Sequence, residues 1–147
     1  MNNRVPLFGL ALLLSCGGTV HALDATGQRY TQMLTSGGPA NISRAARAMF
    51  KMGVSSAEVL DVAAQVLSDS YLKNPDEREF ANATAWLCKA LGNSGNGRYK
   101  ALLQQVVAGE IHRRTRGHCE KALLNLPDGA ADTFRPGSVK LTKYRAR

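Results

Sequence analysis

Residues 84–107 read TAWLCKALGNSGNGRYKALLQQVV, and two readings of this stretch lead to different proteins. As a phosphate loop, Gly92 and Gly97 have the spacing of a Walker A motif. Arg98 then stands where that motif needs its phosphate-binding lysine, and Tyr99 where it needs the magnesium-binding Ser or Thr. A strand should lead into such a loop, whereas Ala83, Thr84, Leu87, Cys88 and Leu91 recur at helical spacing. The other reading makes the glycines an elbow between two amphipathic helices. Gly92 then stops the first helix in the left-handed conformation and Asn96 caps the second. Tyr99, Leu102, Leu103, Val106 and Val107 form that second helix's apolar stripe. The elbow accounts for the whole stretch and the phosphate loop does not.

The same helical spacing extends to both sides. Asp24 caps a helix over 25–35 that the Ser-Gly-Gly-Pro run at 36–39 stops. Asn41 caps a second, ISRAARAMFKM, ended by Gly53. Ser55 and Glu58 have the spacing of a capping box, in which each side chain satisfies a free backbone N–H at the helix start. The third helix carries a stripe of Val59, Val62, Ala63, Val66 and Leu67. Asp76 and Glu79 repeat the box ahead of the helix with Phe80, Ala83, Leu87 and Leu91. A last helix shows Ile111, Thr115, Cys119, Ala122, Leu123 and Leu126 before Pro127. Strand-like alternation is weak throughout, SVKLTKY at 138–144 excepted.

The chain also echoes itself. A shift of 32 lays Lys89-Ala90-Leu91 on Lys121-Ala122-Leu123, Asn93 on Asn125 and Trp86 on His118. A shift back by 39 lays Leu91-Gly92 on Met52-Gly53. Units of this length cannot bury their apolar faces alone, and stacking on neighbours does it for them. With the segment ATAWLCKALGNSGNGRYKALLQQVV at 83–107 and RRTRGHCEKALLNLP at 113–127, the chain resembles the HEAT-like repeats of bacterial proteins. The resemblance spans about residues 41–126. It implies an all-α fold, a short HEAT-like α-solenoid of about five to six antiparallel helices, and it implies little about function. Gly117 departs from the pattern, since a better helix former usually stands there.

The first residues, MNNRVPLFGLALLLSCGGTVHA, place Arg4 before an apolar run too short to span a bilayer. Small residues then lead to Val20-His21-Ala22. This is the pattern of a secretory signal peptide over 1–22, with the helical domain at 23–126 and a basic tail at 127–147. The alternative is a lipobox at LLSC, with Cys16 lipidated, although Leu14 is bulky for that motif. The expected location is therefore the periplasm, or the outer membrane as a lipoprotein, with no transmembrane span left in the mature chain. Cys88 and Cys119 remain as an even pair in an oxidising compartment. A disulfide between them and two buried thiols that never meet are both compatible with their places on apolar stripes.

The formal net charge of +8 predicts an anionic partner. Export argues against nucleic acid, as does the lack of aromatic residues among the cations. Arg113, Arg114 and Arg116 crowd the start of the last helix, where cations oppose the helix dipole. Lys121, Lys140, Lys143 and Arg145 extend the basic character into an acid-free terminus. That tail is either a flexible basic arm or, through Phe134, Val139, Leu141 and Tyr144, a cap docked on the last helix. His112, His118 and Cys119 invite a metal, but only 112 and 119 share a face, and zinc needs three or four ligands. No hydrolase motif is present and no catalytic, cofactor or metal residue stands out. The expected function is non-catalytic binding of an acidic partner protein. The alternative is binding of anionic lipid headgroups or acidic glycan.

Overall fold

The computed structural model describes residues 23–145; the expected leader and Cys16 lie outside them. The described chain is all-α, with six helices and no strand. They are α1 (Ala25–Thr35), α2 (Pro39–Met52), α3 (Ala57–Ser70), α4 (Arg78–Asn93), α5 (Lys100–Ala108) and α6 (Arg113–Leu123). Short 3₁₀ turns occupy Gly97–Tyr99 and Leu141–Tyr144. The SVKLTKY segment is thus no strand.

Consecutive helices pack in pairs, α1 on α2, α3 on α4 and α5 on α6. The pairs stand side by side, so that α2, α4 and α6 form one row and α1, α3 and α5 the other. Within the first row the helices run in the same direction. Asn82 donates to Ser43 Oγ at 3.3 Å and Asn93 to the Phe50 carbonyl at 3.1 Å, tying α4 to α2 near both ends. Thr115 donates to the Ala81 carbonyl at 3.1 Å near the start of α6. The Cys88 and Cys119 sulfurs, fully buried midway along, are at disulfide distance from each other.

The core fills the space between the rows, with Leu34, Met49, Leu60, Leu67, Leu87, Leu91, Tyr99 and Leu103 almost wholly excluded from water. Apolar area removed from water is the main stabilising term in such a stack. Helix α3 is buried on more than its expected stripe, since Leu60, Ala64 and Gln65 are covered too. Over Gln65 the cover is the C-terminal segment. Phe134 is buried beside Tyr99, ring centroids 6.1 Å apart, and its N–H donates to the Arg98 carbonyl at 2.9 Å. The Gly137 N–H then donates to Gln65 Oε1 at 2.8 Å. The Tyr144 hydroxyl donates to Glu58 Oε1 at 2.7 Å, and the Tyr144 carbonyl accepts from Thr35 at 3.1 Å. The tail therefore docks, but it crosses α3 to α1 instead of capping the last helix.

Helix starts differ from expectation for identifiable reasons. Pro39, whose fixed φ and missing N–H suit a first turn, begins α2 two residues before Asn41, with Gly38 at the cap. Ser56, not Ser55, caps α3, without a side-chain bond, and the Glu58 carboxylate is taken by Tyr144. Glu77, not Asp76, precedes α4. Gly92 is no stop. It lies inside α4, where a Cβ would come within 2.7 Å of the Ala122 carbonyl oxygen, so its role is to let α6 approach. The left-handed residue of the elbow is Gly95, φ 64°, a conformation that costs glycine little. Asn96 does act as a cap, at the 3₁₀ turn leading into α5, where its side chain accepts from the Arg98 N–H at 3.1 Å.

Candidate functional site

The row α2, α4, α6 presents an outer face with two adjoining hollows that share Trp86 and Asn82. One, a cleft of about 780 Å³ between α4 and α6, is lined by Asp76, Arg78, Glu79, Trp86, Lys89, His112, Arg114, Thr115 and His118 among others. The other, a shallower groove of about 330 Å³ between α2 and α4, is lined by Ser43, Arg44, Arg47, Ala48, Lys51, Asn82 and Trp86. The parallel run of the helices creates this face. It places Arg47, Trp86 and His118 at equivalent positions of α2, α4 and α6, offset by the same 39 and 32 residues as the internal echo.

Trp86, half-buried, organises the charges around it. The Lys89 ammonium lies 4.3 Å from the ring centroid and the Arg47 guanidinium 5.5 Å. Phe50 meets the ring edge-on at 5.9 Å. Such cation–π contacts hold a cation without neutralising it. Among the described residues, the ion pairs belong to Arg98, Lys100 and Lys143. Arg44, Arg47, Lys51, Lys89, Arg114 and Lys121 form none. His118 sits among these cations. Its pKa is lowered from 6.5, first by burial and then by Lys89, Lys121 and Arg114, so it is neutral at physiological pH.

The sequence-predicted cations divide. Arg113 and Arg114 are exposed at the start of α6, and Arg114 lines the cleft. Arg116 is turned back, donating to the Gly109 carbonyl at 3.0 Å. The helix start tolerates these cations because His112 Nδ1 caps it, accepting from the Arg114 N–H at 3.2 Å. Lys121 is exposed one turn beyond His118. Lys140, Lys143 and Arg145 belong instead to the tail, whose final 3₁₀ turn lies against α1 and α3. Lys143 there reaches Glu58 at 3.7 Å. Sequence reading missed Arg44, Arg47, Lys51 and Lys89. Their signal was present in the i, i+3, i+7 spacing of the three α2 cations and in Lys89 three residues after the only tryptophan.

A second polar cluster lies at the elbow. Arg98 pairs with Asp61 at 3.2 Å and Asp132 at 2.5 Å, and the Tyr99 hydroxyl donates to Asp61 at 2.7 Å. Burial, then the Asp61 carboxylate, push the Tyr99 phenol far above its ordinary range, which keeps its proton in place. These bonds moor the tail to α3, and Arg98 is spent on carboxylates rather than offered to a phosphate. Among the described residues no three His, Cys, Asp or Glu side chains gather as a metal centre requires, and no helix is long and apolar enough to cross a membrane. Comparison with protein-family models, curated proteins and solved structures finds no match to this chain.

Proposed function

We propose that this chain is an exported, non-catalytic HEAT-like module that binds an acidic surface of a partner protein through the Trp86 face of α2, α4 and α6. The observation that carries this reading is the set of cations around Trp86, held by an indole ring and unmatched by carboxylates. A free protein keeps like charges together at some electrostatic cost, and an acidic partner relieves it. The paired packing of helices and the shared rung of Arg47, Trp86 and His118 favour a repeat architecture, in which one row of helices commonly supplies the binding surface.

The test is a pull-down from envelope extract with the mature form, at roughly 50 and 300 mM salt. Wild type, Arg47→Glu/Lys89→Glu and Lys140→Glu/Arg145→Glu are compared. The proposal expects an acidic protein retained by wild type and by the tail variant, weakened but not abolished at the higher salt, and lost with the α2–α4 variant. Retention of anionic lipid or glycan instead, lost in the tail variant and at the higher salt, would favour the alternative.

A further inference from the structure

The α4–α6 cleft is electrically uneven along its length. Asp76, Arg78 and Glu79 share its upper end with Arg114, where charges of both signs mix. Glu79 stands seven residues before Trp86, about 10 Å up the helix. At the lower end the groups are Trp86, Lys89 and His118, with Lys121 one turn further along α6, and no carboxylate lines it. The helices packed against α6 are α4 and α5. Lys89 is the charged group that α4 brings to His118, and the single charged residue of α5, Lys100, is paired with Asp128 at 2.6 Å. A neutral imidazole surrounded by unpaired cations at one end of a polar cleft is a place where an anion and a proton should enter together.

We propose that the lower end of the cleft is a carboxylate subsite, in which Lys89, Lys121 and His118 grip an Asp or Glu side chain of an acidic peptide segment, with His118 engaged as the imidazolium. This inference rests on the acidic-partner reading above and names the group that reading leaves open. The cation–π contact presets the Lys89 ammonium beside Trp86, so little ordering is needed when the carboxylate arrives. In the free protein burial first, and then the surrounding cations, disfavour a charge on His118. A bound carboxylate reverses that field, so the bound state holds a proton that the free state lacks at neutral pH. By linkage, affinity rises as pH falls from the raised pKa of His118 in the bound state toward its lowered one in the free protein, and levels off below that.

Trp86 is the sole tryptophan and touches both Arg47 and Lys89, so its fluorescence reports occupancy. Wild type is titrated with a short Asp-rich peptide at about pH 7.5 and about pH 5.5, a range in which Asp stays ionised. Binding about tenfold tighter at the lower pH is expected, the worth of one added charge-assisted hydrogen bond. His118→Gln should keep the affinity at the higher pH and lose the pH dependence. Lys89→Gln should weaken binding at both, and Lys140→Gln at neither. Circular dichroism shows that each variant is folded. Equal wild-type affinity at both pH values, with Lys89→Gln still weakened, overturns the His118 subsite and leaves the acidic-partner reading standing. Failure of the peptide to bind at either pH, or binding only to phosphatidylglycerol vesicles, overturns both.

Discussion

Gly92 and Gly117 are both helical glycines, and they should respond oppositely to alanine. A Cβ on Gly92 would press on the Ala122 backbone and Cβ, all within 2.8 Å, and α6 cannot retreat while Cys119 is tied to Cys88. Overpacking of about 1–3 kcal/mol outweighs the helix-propensity gain of about 1 kcal/mol, so Gly92→Ala should lower the urea midpoint. Gly117 has open space where its Cβ would go, and Gly117→Ala should stabilise by up to about 1 kcal/mol. His118 gives a third residue-scale expectation. Its folded pKa lies below the unfolded 6.5, so below that pH the unfolded chain takes up more protons and stability falls. Denaturation midpoints between about pH 7 and pH 5 should decline less in His118→Gln than in wild type.

At the scale of the helix, α4 and α6 are joined by a bond that spans 31 residues of chain. Closing a loop of that length in the unfolded state stabilises the fold by about 3–4 kcal/mol. The Cys88→Ala/Cys119→Ala variant should lose about that much in urea denaturation, and wild type in reductant should approach it. The helices and their apolar stripes were legible in the sequence because periodicity survives packing; Val59, Val62, Leu87 and Leu103 lie where the spacing put them. Helix starts were less legible, because cap rules are local. Glu58 satisfied the box spacing at Ser55, yet Tyr144, 86 residues away, claims its carboxylate. Gly92 was misread for the same reason, since the helix it must admit, α6, is distant in sequence. The cationic face around Trp86 was half legible. Arg114 and Lys121 stood out as clustered charge, while Arg47 and Lys89 mattered only once the parallel run of α2 and α4 brought both to Trp86.

At the scale of the whole molecule, residues 128–144 bind the α1, α3, α5 row together. The segment from Asp128 to Tyr144 is held to the start of α5 and the turn before it through Lys100–Asp128, Arg98–Asp132 and Phe134 on Tyr99, then to α3 and α1 through Gly137–Gln65, Tyr144–Glu58 and Thr35–Tyr144. Phe134→Ala should cost about 3–5 kcal/mol, a large part of the roughly 5–15 kcal/mol that holds a domain of this size. Burial and the bond to Glu58 push the Tyr144 phenol up to about 12. Its folded pKa is raised, so its contribution is full below the unfolded value near 10 and fades as pH climbs through about 12. Because the tail is bound to the α1–α3 side, the Trp86 face on the opposite row is left uncovered by it.

That open face is most directly tested by mapping amide chemical shifts of isotope-labelled protein as a short Asp-rich peptide is added. Shifts concentrated at residues 43–51 of α2, 82–89 of α4 and 114–121 of α6 are the predicted result. Shifts confined to Lys140, Lys143 and Arg145, or none at all, would contradict it.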